Sequence, residues 1–300
     1  MNRTTPLPDE RRLRFERALL KHEGVTLDGA TELRGGYRTH ALLLGDGATI
    51  ARIPRYDEAA RDLALEVRVL PVLESAGLPF GTPGQARALV DEGGVVGTLH
   101  TAVPGDLSDQ VSNATTEARR AFVSDLVAFV SAMHAIPRAR FDGLAPADAR
   151  DERFDRWAGA ARPQLSERAA AWVEARRSRL RSIERPASIP AVFAHCDLWG
   201  SNTLVGADQR LTGVIDFGDA MLTDPAYDLF AFRERFGDEG AALAFERYAG
   251  PLDDHAPERS EIYRDMDELY DLAFHVEHGL PYDGELAVIE SRAAAWAGEA

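Results

Sequence analysis

Apolar spacing divides this chain into a front part of short alternating runs and a longer rear part of helical stripes. Residues 6–20 read as a charged helix in which Phe15 and Leu19, four apart, and Leu13 and Leu20, seven apart, share one broad apolar arc. The glycine-bearing stretch 31–40 leads into apolar residues 41–44, a Gly45-Asp46-Gly47 turn and a second run at 48–53, the pattern of a β-hairpin. By the period of two, Ala48, Ile50 and Arg52 share one face of the second strand, an unusual place for a cation. Residues 57–70 form the next helix, with Leu63, Val67 and Leu70 on one face and Pro71 set to end or kink it. A punctuated loop at 77–84 precedes a second hairpin, 86–90 and 95–103 around Glu92-Gly93-Gly94, which Pro104-Gly105 stops.

The rear part begins with residues 116–134, whose stripe of Phe122, Leu126, Phe129, Val130 and Met133 marks a core helix, so that His134 at its end is a structural hydrogen-bonder. Residues 145–186 read as two helices anchored by Trp157 and Trp172. Further helical stretches start at 229–232 and cover 241–248, 262–278 and 284–296. Between these blocks the pattern changes. An apolar run ending at Ala194 meets a polar loop, then short runs at 203–205 and 211–215, reading as strand, loop and hairpin. No repeat or low-complexity segment interrupts the chain.

The candidate chemistry lies in that loop. Asp197 and Asp216 are acceptor-only carboxylates when ionised and Asn202 adds a neutral carbonyl oxygen, the hard oxygen ligands that suit Mg²⁺ carried on a nucleotide. Phosphoryl transfer needs metal ions on the phosphate oxygens and one carboxylate to orient the attacking hydroxyl and take its proton. Asp197 is the candidate base, with Asn202 and Asp216 on the metals. Cys196 between His195 and Asp197 reads as a small buried filler, with a nucleophile as the alternative. On the helix at 57–70, Glu66 falls on the apolar face, and a carboxylate there needs a partner, for which Arg52 is the natural choice.

Composition narrows the class. Over 300 residues, 45% hydrophobic and 28% charged is an ordinary globular balance. One cysteine excludes an internal disulfide framework and a Cys-based zinc site. No apolar run is long enough to span a bilayer and residues 1–14 lack an apolar signal core, so a cytoplasmic protein is expected. The formal charge of −15 argues against nucleic acid as partner. Residues 221–300 carry 19 Asp or Glu against six Arg and no Lys, an acidic part that could concentrate a polycationic substrate.

His195-x-Asp197-x-x-x-x-Asn202, then Ile215-Asp216-Phe217-Gly218 with Asp216 nineteen positions beyond Asp197, then Asp224-Pro225-Ala226-Tyr227-Asp228-Leu229, resembles the catalytic and metal-binding segments of the aminoglycoside phosphotransferase family. The tail is similar to that of the 2″-aminoglycoside and macrolide phosphotransferases. The resemblance implies an α+β, protein-kinase-like, two-lobed fold: residues 1–103 as a nucleotide-binding lobe with an antiparallel sheet and a helix, and 104–300 as a mostly helical catalytic and acceptor-binding lobe. It implies that Gly35 and Gly36 lie over the nucleotide phosphates, that Arg52, paired with Glu66, contacts the α- and β-phosphates, and that backbone near Thr101, Ala102 and Val103 binds the base of ATP or GTP. It gives His195 a supporting place and Asp228 the role of bracing the catalytic loop. Glu234, Asp238, Glu239, Asp267, Glu268 and Asp271 become candidate binders of acceptor ammonium groups.

The implied activity is Mg²⁺-dependent transfer of the γ-phosphate to a hydroxyl of a small molecule, foremost an aminoglycoside, by a monomer. A metabolite kinase acting on an amino alcohol or sugar amine, a macrolide kinase and a nucleotide-binding pseudokinase are the alternatives. A protein kinase is disfavoured, because no activation loop separates Gly218 from Asp224. Two departures bear on the acceptor. Cys196 stands where the family usually has Gly, and Trp199-Gly200-Ser201 replaces the common His-Pro-Gly, as in related sugar-amine kinases.

Overall fold

The structure, a computed structural model, describes residues 7–33 and 38–296. The expected roles of Gly35 and Gly36 fall outside the described residues. Helix α1 (Asp9–Glu23) precedes strands β1 (Thr31–Glu32), β2 (Thr39–Leu43) and β3 (Thr49–Pro54), helix α2 (Asp57–Glu74), and strands β4 (Arg87–Asp91) and β5 (Gly94–Thr101). The five strands form one antiparallel sheet in the order β1-β2-β3-β5-β4. The β2–β3 turn closes because Asp46 Oδ1 accepts the Ala48 and Thr49 N–H groups, each at 2.9 Å, satisfying the backbone that the tight turn leaves open.

Helix α1 lies against the sheet at Gly97, where a Cβ would meet the Phe15 ring and sit 2.6 Å from Arg52 O. Phe15, Ala18 and Leu19 fill the core there with Leu42, Ala51, Ile53 and Leu99. The broad arc expected of α1 is narrower than drawn: Leu13 and Leu20 are 50% and 57% exposed. At about 100° per residue both lie roughly 140° to 160° round the helix from Phe15, which puts them on the opposite side. Pro71 does not end α2, which runs on to Glu74. It removes a single N–H donor near the last turn, and Ser75 Oγ caps the carbonyls of Pro71 and Val72 at 2.9 and 3.0 Å.

The second lobe comprises β6 (Asp106–Leu107), α3 (Thr116–His134), α4 (Arg150–Ala161), α5 (Glu167–Ser182), β7 (Val192–Ala194), β8 (Thr203–Val205), β9 (Leu211–Val214), β10 (Met221–Thr223), α6 (Ala226–Arg247), α7 (Ala256–Glu277) and α8 (Asp283–Ala295). The β8–β9 hairpin expected from the sequence gains β6 as an edge strand, and β7 pairs antiparallel with β10. Helix α6 is interrupted at Gly237, whose φ of 67° only glycine adopts at little cost. One apolar core joins α3 through α8, and the inner face of α2, Leu65, Val69, Leu70 and Leu73, belongs to it and not to the core under the first sheet. The 77–84 loop ties the lobes together: Gly81 N–H donates to Thr212 O and Val214 N–H to Gly81 O, each at 2.9 Å. Among the described residues no helix is long and apolar enough to cross a membrane.

Candidate active site

The site is built where β3, α2 and the loops after β7 and β9 meet. Period-two alternation turns Arg52 inward, and it is only 8% exposed. Its Nη1 donates to Glu66 Oε2 at 2.5 Å and its Nη2 lies 2.8 Å from Asp216 Oδ1, so one guanidinium bridges two carboxylates. Glu66 Oε1 in turn accepts the Phe217 N–H at 3.2 Å, tying α2 to the segment after β9. Burial pushes the Glu66 carboxyl up to about 7 against the pull of Arg52, with Asp216 adding to the rise. Asp216 is also pushed upward by burial, but Arg52 overcomes this and holds it below its ordinary value.

The loop after β7 is wired from both sides. His195 Nδ1 accepts the Asp197 N–H at 3.2 Å, which leaves Nε2–H to donate to Ile215 O at 3.0 Å. Burial lowers the imidazole, in keeping with this neutral tautomer. Asn202 Nδ2 donates to Asp197 Oδ2 at 2.6 Å and to Asp197 O at 2.9 Å, and Ile215 N–H donates to Asn202 O at 2.9 Å. Asp197 is thereby aimed and the two segments are joined edge to edge.

Asp228, fully buried near the start of α6, accepts three bonds: from His195 N–H at 2.9 Å, Cys196 N–H at 2.7 Å and His134 Nε2 at 2.9 Å. Burial opposes its charge, and these donors, His134 foremost, bring it below the ordinary aspartate value. Tyr248 O–H completes the relay to His134 Nδ1 at 2.9 Å. The clamp holds a strained turn, since Cys196 has φ 67° and Asp216 φ 66°, left-handed conformations that cost a side-chain-bearing residue about 1 kcal/mol or more. A glycine at position 196 would carry no such strain. Burial, with Asp228 adding, pushes the Cys196 thiol well up, so it stays a neutral filler and not a thiolate nucleophile.

Asp197, Asn202, Asp216 and Arg52 open on a cavity of about 380 Å³ that is also lined by Arg38, Asp62, Trp199, Asp219, Asp267, Tyr270 and Asp271. Six aspartates face two arginines. Asp197 is held well above the ordinary range by desolvation, then by Asp219, Asp216 and Asp271, while the Asn202 bond opposes. Asp267 is likewise raised, by burial first and then by the charges of Asp271 and Asp197. A cavity of mutually repelling carboxylates is built to receive cations.

Those donors fit Mg²⁺. The Asn202 NH₂ is committed to Asp197, which leaves its Oδ1 as a ligand atom beside the Asp216 carboxylate, the sparse protein set that Mg²⁺ uses when phosphates supply the rest. Among the described residues no three His, Cys, Asp or Glu side chains form a complete cage.

Other expected site residues lie elsewhere. Four of the six candidate ammonium binders do not line the cavity and are paired with arginines instead. Glu234 and Glu268 meet Arg292, each at 3.3 and 3.2 Å in turn, Glu239 meets Arg120 at 2.6 Å, and Asp238 pairs with Arg233. Asp267 and Asp271 remain. Thr101 and Val103 do not line the cavity either: the Thr101 N–H is taken by Gly84 O at 2.9 Å, the Ala102 N–H by Ala48 O at 2.7 Å, and a Val103 methyl lies against Gly213. Glu66 stands behind Arg52 and acts through it.

Sequence reasoning missed Arg38, Asp62, Asp219 and Arg235. Asp62 could have been found, since it lies one helical turn before Glu66 on the same face of α2. Burial pushes it up to about 7, opposed by Arg38 and reinforced by Asp219 and Asp216. Arg235 is held between the Phe122 and Phe236 rings and donates to Leu198 O at 2.9 Å and Ser108 Oγ at 2.7 Å, supporting the loop from beneath. Its burial, partly offset by Asp109, brings it down to about 10.

A two-lobed kinase-like fold whose strand cation is paired with a helix glutamate, above an Asp–Asn loop and a second aspartate, defines a phosphotransferase. Residues 29–262 match the phosphotransferase enzyme family, and the chain belongs to it. It is similar in structure to aminoglycoside 2'-phosphotransferase-IIIa in its GDP complex, at 20% identity and a TM-score of 0.81 over 94% of this chain and 98% of that one. Macrolide 2'-phosphotransferase MphH from Brachybacterium faecium, an apoenzyme, superposes with a TM-score of 0.63 at 19% identity, covering 94% and 98%. The streptomycin–ATP–APH(2")-IIa ternary complex does so at 0.65 and 16%, covering 95% and 97%. No curated protein matches the sequence.

Proposed function

We propose that the protein transfers the γ-phosphate of ATP or GTP, with Mg²⁺, to a hydroxyl of a small cationic molecule, foremost an aminoglycoside. The single observation that carries this reading is Asp197, held by Asn202 at a cavity that α7 also lines with Asp267 and Asp271. Residues 1–103 act as the nucleotide-binding lobe and 104–300 as the catalytic and acceptor-binding lobe. GDP and ATP occur in the complexes of two similar structures, and streptomycin in one, which supports the donor and acceptor classes.

Asn202 Oδ1 and Asp216 would hold the metal, which when bound neutralises phosphate oxygens. Arg52 contacts the phosphates and keeps Asp216 ionised. Ammonium groups of the acceptor pair with Asp267 and Asp271, and their charge opposes the burial and carboxylate repulsion that hold Asp197 up. Asp197 then takes the hydroxyl proton as the oxygen–phosphorus bond forms and the bond from the γ-phosphorus to the bridging oxygen breaks, releasing nucleoside diphosphate. Trp199 and Tyr270 on the cavity wall favour a ring-bearing acceptor, and so keep a sugar amine as the second reading.

The test is Mg²⁺-dependent turnover of ATP and GTP against aminoglycosides, macrolides, amino alcohols and sugar amines. Stimulation by aminoglycosides, abolished in Asp197→Ala with nucleotide binding retained, is expected. Nucleotide binding with no acceptor-stimulated turnover would sink the reading in favour of a pseudokinase.

A further inference from the structure

Two guanidinium groups enter the cleft, and the mechanism above uses only Arg52, whose donors are already shared among Glu66, Asp216 and Thr39. Arg38 enters from the position just before β2, the strand paired with the β3 strand that carries Arg52. The Arg38 carbonyl accepts the Arg55 N–H at 2.9 Å beside the β2–β3 ladder, so its backbone is fixed while its side chain crosses the cavity. Nη1 donates to both oxygens of Asp219 at 3.1 and 3.2 Å, Nη2 donates to Asp62, and the guanidinium carbon lies 6.0 Å from the Phe274 ring centre. The remaining donor, Nε–H, is buried and has no hydrogen-bond partner among the described residues. A buried guanidinium N–H left without an acceptor is a cost that a ligand can remove.

Of the partners of Arg52, Glu66 is buried outside the cavity, whereas both carboxylate partners of Arg38 line it. Asp62 and Asp219 both line the cavity that holds Asp197, Asn202 and Asp216, so an anion placed there meets Arg38 without any movement of backbone. Carboxylate and phosphate offer a guanidinium the same forked geometry. A polyphosphate entering among six aspartates has few cations to meet, and Arg38 brings a buried donor that has no acceptor among the described residues.

We infer that Arg38 is a second phosphate-binding cation of this site, which exchanges Asp219 and Asp62 for the terminal phosphate of a nucleoside triphosphate and engages it through Nη1 and Nε. This rests on the reading of the cleft as a nucleotide site. The rival role is a latch, in which Arg38 only joins the β2–β3 hairpin to the segment after β9. The two differ in what they discriminate: a phosphate contact distinguishes nucleoside triphosphate from monophosphate, and a latch does not.

Calorimetric titration of ATP and AMP, with and without Mg²⁺, into the full-length wild type, Arg38→Met and Arg38→Lys separates them. Loss of a charge-assisted contact in Arg38→Met should weaken ATP by about tenfold or more and leave AMP within about twofold, with Arg38→Lys between. Equal losses for ATP and AMP, or none, would overturn the inference. If circular dichroism shows that Arg38→Met does not fold, Arg38→Lys, which keeps the charge and loses the fork, decides by the same comparison. Where the wild type binds ATP or, titrated in parallel, GTP, variants that keep the triphosphate-over-monophosphate preference overturn only this inference; a wild type that binds neither ATP nor GTP overturns the nucleotide reading and this inference with it.

Discussion

Replacing Asp228 with Asn should unpick the catalytic loop from below. The carboxylate accepts from His195 N–H, Cys196 N–H and His134 Nε2–H, and it has no exposure to water. An amide keeps one acceptor. If that oxygen stays on Cys196, the NH₂ is forced against two donors, one of them a backbone N–H that cannot change its role. Net bonds to a charged acceptor contribute about 1.5 kcal/mol or more each, so losing two costs about 3 kcal/mol, and the left-handed Cys196 loses the clamp that holds it. For a chain of this size that corresponds to a fall in Tm of roughly 5 °C.

The pH dependence has a definite sign. Asp228 is depressed in the fold, so its contribution is full above the unfolded aspartate value near 3.9 and is lost as pH falls through the folded value. Urea midpoints should therefore separate wild type from Asp228→Asn at pH 7 and draw together in acid. A variant within about 0.5 kcal/mol of wild type at pH 7 would show that the three bonds do not hold the loop, since changes that small are typical of surface sites.

Three further outcomes follow from the same geometry. Arg52→Ala should weaken nucleotide binding and leave the buried Glu66 and the partly exposed Asp216 without their cation, at about 3 to 5 kcal/mol for Glu66. Because Glu66 already titrates near 7, that deficit should shrink as pH falls from 8 to 6 in urea unfolding, and a deficit that grows would refute the pairing. Asp267→Asn with Asp271→Asn should raise KM for a polycationic acceptor and reduce its salt dependence while kcat changes little; a fall in kcat alone would remove their binding role. Gly97→Ala should cost about 1 to 3 kcal/mol by overpacking Phe15 against the sheet, read from the thermal midpoint, and a neutral result would mean that α1 can move aside.

What could be read from the sequence was local. Asp197, Asn202 and Asp216 lie on one loop and the next hairpin, and Arg52 and Glu66 on a strand and the helix after it, so spacing and period carried them. What could not be read was set by rotation and long-range pairing. Which acids of α6 and α7 face the cavity depends on Arg292 arriving from α8 and Arg120 from α3, neither of which leaves a mark near Glu234, Glu268 or Glu239. Arg38 meets Asp219 across 181 positions, and Arg235 meets Leu198 through an orientation set by two phenylalanine rings and Ser108. Leu13 and Leu20 misled because apolar residues on a helix do not all find a core.

Helix α2 carries Glu66 toward the first sheet and Leu65, Val69, Leu70 and Leu73 toward the second lobe. A gene cut after residue 103 would therefore not yield two separately folding products. The front fragment would expose a leucine and valine stripe with nothing to cover it, and the rear fragment would have a trench in its core where that stripe belongs. Coexpressed, each would be the other's solubilising partner, and the enzyme could be reassembled from halves only by closing that helix into its trench.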